Sequence, residues 1–334
     1  MISVHFKLLS LLLVLIKSAP QTDGNSIMPM IDFRYFRCVM KREWTCPDSE
    51  INFYLYTPEH PYKQWVDVRH TKKLPAYGWK LSRKNVLIVH GFNGTHSKTP
   101  MTFLRDAYLS RKDYNVFMVD WSPLTRFPCY LSALSNTKPF ISDFRLAAQC
   151  TAQLYSRITQ SGALARKITC VGHSLGAHVC GMMSNHLTEK QYKIIGLDPA
   201  RPLVSMYGSR LFRLGRDDAY FVQVVHSNAG FLGESGQIGH ADFCVNGGRL
   251  QPGCKGHVMR IARCSHFMSS CYFAAAVRRR IKMIGVPCDS TCPKQGHWSF
   301  RYDRKVVKVD EDIPETSRGM YCVRVDHEES CPFD

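Results

Sequence analysis

Three side chains in this sequence could together carry out acyl transfer. Ser174 stands inside Gly172-His173-Ser174-Leu175-Gly176, the G-x-S-x-G pattern of a turn that lifts a hydroxyl clear of a sheet at the start of a helix. The pattern calls for glycines because a β-carbon two positions either side of the serine would collide with the chain. A serine hydroxyl becomes a strong nucleophile only beside a base, and the base needs a third group to orient it. Asp198 closes the apolar run Ile194 to Leu197, and His266 follows in Cys264-Ser265-His266, which gives the chain order Ser, Asp, His of one large hydrolase class. Each has an ordinary alternative. A plain strand-to-helix turn can contain serine, Asp198 can cap the turn before Pro199, and with fourteen histidines in the chain His266 has rivals, His257 first among them.

A tetrahedral intermediate also needs donors for its oxyanion. The apolar run Val86 to Val89 leads into His90-Gly91-Phe92-Asn93-Gly94, a strand end and glycine-containing loop suited to presenting a backbone N–H there. A flexible connector is the competing reading. Asn93-Gly94-Thr95 is also the single N-x-S/T sequon, so a glycan on Asn93 would crowd the same loop.

The elements that must position these groups alternate. Short apolar runs at Val86 to Val89, Val116 to Val119, the stretch ending at Gly172, Ile194 to Leu197 and Tyr220 to Val225 read as buried strands. Met101 to Ser110, Ser142 to Ile158 with its stripe Phe144, Ala147, Ala148, Leu154 and Ile158, and the stretch after Ser174 read as helices. That alternation predicts an α/β fold: a mostly parallel central sheet with helices on both faces. Ile51 to Tyr56 reads as an edge strand, His226 to Gly253 as a long loop or short hairpin, and Tyr272 to Ile284 as a helix containing Arg278-Arg279-Arg280. Trp298 to Val309 and Met320 to Val325 read as closing strands, Pro123 to Pro139, with Cys129, as a turn-rich stretch, and residues 25 to 50, with Cys38 and Cys46, as a tethered N-terminal segment.

The chain of 334 residues can hold one large α/β domain or two average ones, and it is read as a single catalytic domain. Lys7 followed by Leu8 to Ile16 has the charged and apolar regions of a secretory signal peptide, assigned to residues 1–19, with the mature domain at 25–334. Fourteen cysteines behind such a leader predict an oxidising, extracellular setting. Cys288 and Cys292 come nearest to a metal pair but have no second Cys/His pair at ligand spacing, so no metal is expected. Cys170 and Cys180, on a buried strand and the next helix, read as small core residues. The net charge of +17 fits an anionic lipid or sulfated glycan surface, and no nucleic-acid motif accompanies it.

With these residues in place, the chain resembles the pancreatic-lipase family of secreted α/β-hydrolases from about residue 50 to its end. The likeness rests on Val89-His90-Gly91-Phe92, Val119-Asp120-Trp121, Val171 to His178, Gly196-Leu197-Asp198-Pro199-Ala200, Gly239-His240-Ala241-Asp242-Phe243, Asn246-Gly247-Gly248, Pro252-Gly253-Cys254-Lys255 and Cys264-Ser265-His266. The resemblance implies Ser174 as nucleophile, His266 as general acid/base, Asp198 as its partner, the N–H groups of Phe92 and Leu175 as the oxyanion hole, and no cofactor. It also implies disulfides Cys254–Cys264 and Cys288–Cys292.

Three departures from the family pattern bear on substrate. The segment between Cys254 and Cys264, the family's lid, is about half the length found in triacylglycerol lipases and looks like the phospholipase A1 branch of insects. The chain ends where the family's C-terminal lipid-binding sandwich domain would begin, so no colipase is expected. Arg210, Arg213, Gly215 and Asp218 fall where some members carry a calcium site of pattern E-x-x-R-x-D-x-x-D, and two carboxylates are missing. The resulting expectation is a phospholipase A1 acting on phospholipid or another lipid ester at a membrane or droplet surface. A triacylglycerol lipase and a non-catalytic lipid-binding or yolk-type relative are the alternatives.

Overall fold

The computed structural model describes residues 45–125, 139–201, 204, 210–288, 291–293 and 306–325. The leader 1–19, Cys38, Cys129 and the stretch from Trp298 to Lys305 lie outside the described residues. The framework is one twisted sheet of 11 strands. Strands β1 (Asn52–Tyr56), β2 (Gln64–Trp65), β3 (Lys84–Val89), β4 (Tyr114–Asp120), β5 (Ile168–His173), β6 (Gln191–Leu197), β7 (Ala219–His226), β8 (Ala241–Val245), β9 (Ile284–Pro287), β10 (Val307–Lys308) and β11 (Gly319–Val323) stand in the order β10-β9-β11-β8-β7-β6-β5-β3-β4-β1-β2. The run from β11 to β4 is parallel, and antiparallel strands close both ends.

Among the described residues, the α-helices of eight residues or more are α1 (Met101–Ser110), α2 (Pro139–Gln160), α3 (Leu175–Met182) and α4 (Val258–Val277). Alternate residues of one strand feed two cores. Leu87 and Val89 pack with Ala147, Leu154 and Ala177 on one face, Val86 and Ile88 with Leu104, Tyr108 and Phe273 on the other. Burial on both faces explains why these strands are unbroken apolar runs rather than alternating ones. None of the described helices is long and apolar enough to cross a membrane.

Strand order reverses between β3 and β5: the chain leaves β3 toward β4 on one side and leaves β5 toward β6 on the other. Such a switch point opens a crevice beyond the carboxyl ends of the strands, the favoured place for a ligand in open α/β sheets. Register makes the placement sharper. Val89, Gly172, Gly196, Val224 and Asp242 form one row across β3, β5, β6, β7 and β8. Gly91, Ser174, Asp198 and His226 each lie two residues past that row, on one lip of the sheet. This is the α/β-hydrolase fold.

Several expectations need correction. The 226–253 stretch contains a true parallel strand, β8, which sits between β7 and β11. A central Asp242 and flanking glycines hide its strand character. The edge assigned to Ile51 to Tyr56 is covered by β2. Helix α4 starts at Val258, well before Tyr272, and ends at Val277, so the Arg278 to Arg280 run lies past it, with Arg279 in the left-handed region at φ 59°.

The disulfides also differ from expectation. Cys254–Cys264 forms. Cys288 and Cys292 are not partners: Cys292 bonds Cys244 of β8, and Cys288 bonds Cys322 of β11. Their Cα atoms stand 5.5 and 5.7 Å apart, the separation a disulfide prefers, and β8, which carries Cys244, reads as loop or hairpin in the sequence. Cys170 and Cys180 are a disulfide too, rather than separate core residues. Cys46 is tethered to Cys150 on α2.

Candidate active site

Ser174 occupies the turn between β5 and α3 with φ 57° and ψ −122°, a region an L-residue enters only when its surroundings hold it there. They do so through Ser174 N–H donating to Leu197 O at 3.0 Å, while Ser174 O accepts from Ala177 N at 3.2 Å and Ala200 N at 3.3 Å. A Cβ on Gly172 would strike the Gly176 carbonyl, and one on Gly176 would strike the carbonyl of Val89. The glycines therefore permit the helix to pack directly against two strands. The disulfide Cys170–Cys180 then ties the strand before the serine to the helix after it.

Asp198 is fully buried at the tip of β6, also at positive φ, 44°. Its carboxylate is completely committed: Oδ1 accepts from the N–H groups of Ser227 and Asn228 at 2.9 and 3.0 Å, and Oδ2 lies 2.5 Å from His266 Nδ1. His266 projects from α4, a helix distant in sequence, and is buried. A carboxylate so placed selects the tautomer that leaves Nε2 free to act as a base. His257, the rival, is exposed at the N-cap of α4, where its Nδ1 accepts from Arg260 N at 3.4 Å.

His173, the residue before the serine, packs against His266. Its ring stands 4.7 Å from the His266 ring, and its Nε2 donates to His266 O at 3.1 Å. Burial first, then the neighbouring His266, pushes His173 well below the ordinary imidazole value, so it is a neutral donor. Among the described residues Ser174 Oγ has no hydrogen bond of its own. Free-enzyme contacts of this kind are often long and close on substrate.

The donor side of the site is the loop after β3. A Cβ on Gly91 would lie 2.6 Å from Ser174 Cβ and 3.2 Å from its Oγ, so this loop runs directly beside the serine and carries Phe92 with it. Leu175 is the first residue of α3, and the opening N–H groups of a helix have no partner within it. Leu175 thus follows Ser174 directly at the helix start, and Phe92 follows Gly91 in the loop beside it.

The loop has a support that sequence reading missed. His90 Nε2 lies 3.1 Å from Trp121 N, and its Nδ1 lies 2.8 Å from Gly91 O. Behind them Asp120 lies 3.1 Å from His90 Nε2 and 2.6 Å from His96 Nδ1. Burial would raise the Asp120 carboxyl, but the two imidazoles outweigh it and hold it well below the usual range. His90 and Asp120 were visible as motif residues without a role; His96 carried no signal at all.

A second buried pair lies under Asp198. His226 Nε2 is 2.9 Å from Asp242 Oδ2, both fully buried, and His226 Nδ1 is 3.0 Å from Glu234 O. Burial lowers the His226 value, yet the Asp242 contact prevails and raises it. His226 directly precedes Ser227 and Asn228, whose N–H groups hold Asp198 Oδ1.

At the position of the family's cation site, Asp218 accepts from Gly215 N at 2.8 Å and Ser184 Oγ at 3.1 Å, and burial raises it to about 6. Among the described residues no cluster of three His, Cys, Asp or Glu side chains is arranged to hold a metal. Asn93 is exposed at φ 50°, whereas Thr95 of the same sequon is buried.

A parallel sheet with a glycine-flanked serine turn at its switch point, beside a buried His–Asp pair, defines the α/β-hydrolase class. The chain belongs to the Lipase family, whose model matches residues 23–297. Among curated relatives it is 28% identical to mouse pancreatic lipase-related protein 2, over 80% of this chain and 61% of that protein. It is 33% identical to rat lipase member H, over 73% of this chain and 58% of that protein. It therefore spans about three fifths of the relatives it matches. Among solved structures, a phospholipase/carboxylesterase from Dyadobacter fermentans is similar at TM-score 0.33 and 14% identity, over 55% of this chain and 75% of that one.

Proposed function

We propose that this chain is a secreted lipid carboxylester hydrolase, a phospholipase A1 that releases the sn-1 fatty acid through an acyl-enzyme. The observation that carries the chemistry is the 2.5 Å pairing of His266 Nδ1 with Asp198 Oδ2 beside the strained Ser174 turn. In this reading Ser174 Oγ attacks the ester carbonyl as His266 Nε2 takes its proton. Asp198 stabilises the resulting imidazolium, and the N–H groups of Phe92 and Leu175 receive the oxyanion. His266 then returns the proton to the departing glyceryl oxygen. Water, activated by the same imidazole, hydrolyses the acyl-serine. No step calls for a cofactor.

The phospholipid assignment is supported by the shape of the segment closed by Cys254–Cys264. Residues from Val258 onward already belong to α4, so only Lys255 to His257 are non-helical. A lid built this way cannot swing as a flap without unwinding the helix that bears His266. It offers little apolar surface to a triglyceride and leaves the mouth open to a polar head group. Secretion is supported by the five disulfides among the described residues, and a leader at residues 1–19 would be checked by N-terminal sequencing of the exported protein.

The deciding experiment measures fatty acid release from phosphatidylcholine and from triolein emulsions side by side. Phosphatidylcholine hydrolysis at the sn-1 position is the expected result. Fast triolein cleavage with negligible release from phospholipid would replace this reading with a neutral-lipid lipase.

A further inference from the structure

From Phe243 to Cys288 the chain contains Arg249, Lys255, Arg260, Arg263, Arg278, Arg279, Arg280 and Lys282 and not one Asp or Glu. This stretch builds the lid and the helix of His266. Within it Arg263 occupies a singular place. It stands one turn before His266 and Phe267 on α4, and residues three or four apart on a helix are surface neighbours. Its guanidinium carbon sits 5.8 Å from the centre of the Phe267 ring. Phe267 in turn stacks on His173 at 5.0 Å and 19°, and His173 packs against His266. The result is a continuous stack from a surface cation to the residue before Ser174.

An arginine lying over an aromatic face is immobilised by its flat side and keeps its N–H edge available. Among the described residues Arg263 has no carboxylate partner. The guanidinium fork matches the oxygens of a phosphate in two parallel hydrogen bonds. In a phospholipid the phosphate and the sn-1 ester lie at opposite ends of one glycerol unit, a span comparable to one helical turn of about 5.4 Å. A triglyceride has nothing to offer that position.

We propose that Arg263 is the specificity-determining residue of the site, binding the substrate phosphate while the sn-1 ester is held at Ser174. The proposal rests on the phospholipase reading above and names the contact that would enforce it. Arg260, one turn further out and exposed, contributes only diffuse charge.

The test compares wild type with R263Q, R263K and R260Q on two substrates, phosphatidylcholine and diacylglycerol, each in the same uncharged detergent micelles. R263Q is expected to lower phosphatidylcholine hydrolysis by about tenfold or more, the worth of one charge-assisted contact, while diacylglycerol hydrolysis stays within about twofold. R263K recovers part of the loss, and R260Q changes neither rate by more than about twofold. Unchanged phosphatidylcholine hydrolysis in R263Q would overturn the proposal. So would an equal fall on both substrates, which would mean that Arg263 acts through Phe267 on His266, and so would an equal loss in R260Q. A wild type active on diacylglycerol but inert on phosphatidylcholine would instead defeat the phospholipase reading itself.

Discussion

Two disulfides close spans of equal length beside the proposed triad, and they do different work. Cys170–Cys180 and Cys254–Cys264 each have a sequence separation of 10 and Cα atoms 5.8 and 5.7 Å apart. The first joins β5 to α3 around Ser174, with both cysteines inaccessible to solvent. The second closes just before His266 at the mouth, where Val258 is 71% exposed. One staple surrounds atoms that must not move. The other sets how much chain covers the entrance. Chain entropy treats equal spans alike, so stability cannot tell them apart, whereas activity should.

The largest expected effect tests the reaction that the comparison presupposes. Ser174→Ala should lower turnover on every ester by roughly 10⁴-fold or more with the fold intact, as measured by fatty acid release and circular dichroism. Asp198→Asn comes next, at about 10³- to 10⁴-fold in kcat, because the amide favours the wrong tautomer of His266. A loss of similar size on phospholipid and on a soluble short-chain ester would confirm that both variants act behind the entrance.

The pH dependence of stability sharpens the buried side. His178 on α3 donates from Nε2 to Ala200 O at 2.7 Å and accepts from Leu214 N at 2.9 Å, and burial lowers its value to about 4. A histidine with a depressed folded value contributes stability that is present above its unfolded value near 6.5 and is lost as pH falls toward 4. The loss is about 3 kcal/mol in urea unfolding between pH 7 and pH 4. His173 acts in the same direction.

Removing the staples then separates them. C170A/C180A and C254A/C264A should each cost about 2–3 kcal/mol of stability. The first should slow all esters together; the second should leave a soluble ester within about twofold and shift the ratio of phospholipid to triolein hydrolysis. A change of that ratio in C170A/C180A would erase the distinction. The smallest effect is Asn93→Gln, within about 0.5 kcal/mol of wild-type stability, with mass spectrometry of the protein expressed in eukaryotic cells deciding whether a glycan is lost.

Legibility followed the same divide. The strands, the serine turn and the order of Ser174, Asp198 and His266 were readable because glycine spacing and apolar runs are local signals. The two-residue offset that aligns them along one lip is a property of register, which no single strand encodes. β8 was hidden because Asp242, which would disqualify an ordinary buried strand, is satisfied by His226 across the sheet and by the N–H groups of Ile238 and Gly239. The Cys244–Cys292 and Cys288–Cys322 bonds went unread with it. The early start of α4 was obscured by the short polar residues around Cys264, and His96 became legible only when the fold placed it on Asp120.

The most direct measurement is covalent. A lipid-like fluorophosphonate, which reacts only with an activated serine, is incubated with the folded protein and the adduct is located by peptide mass spectrometry. A single adduct on Ser174, formed more slowly in Asp198→Asn and absent from Ser174→Ala, is the predicted result. Labelling at another residue, or undiminished labelling of Ser174→Ala, would contradict the account.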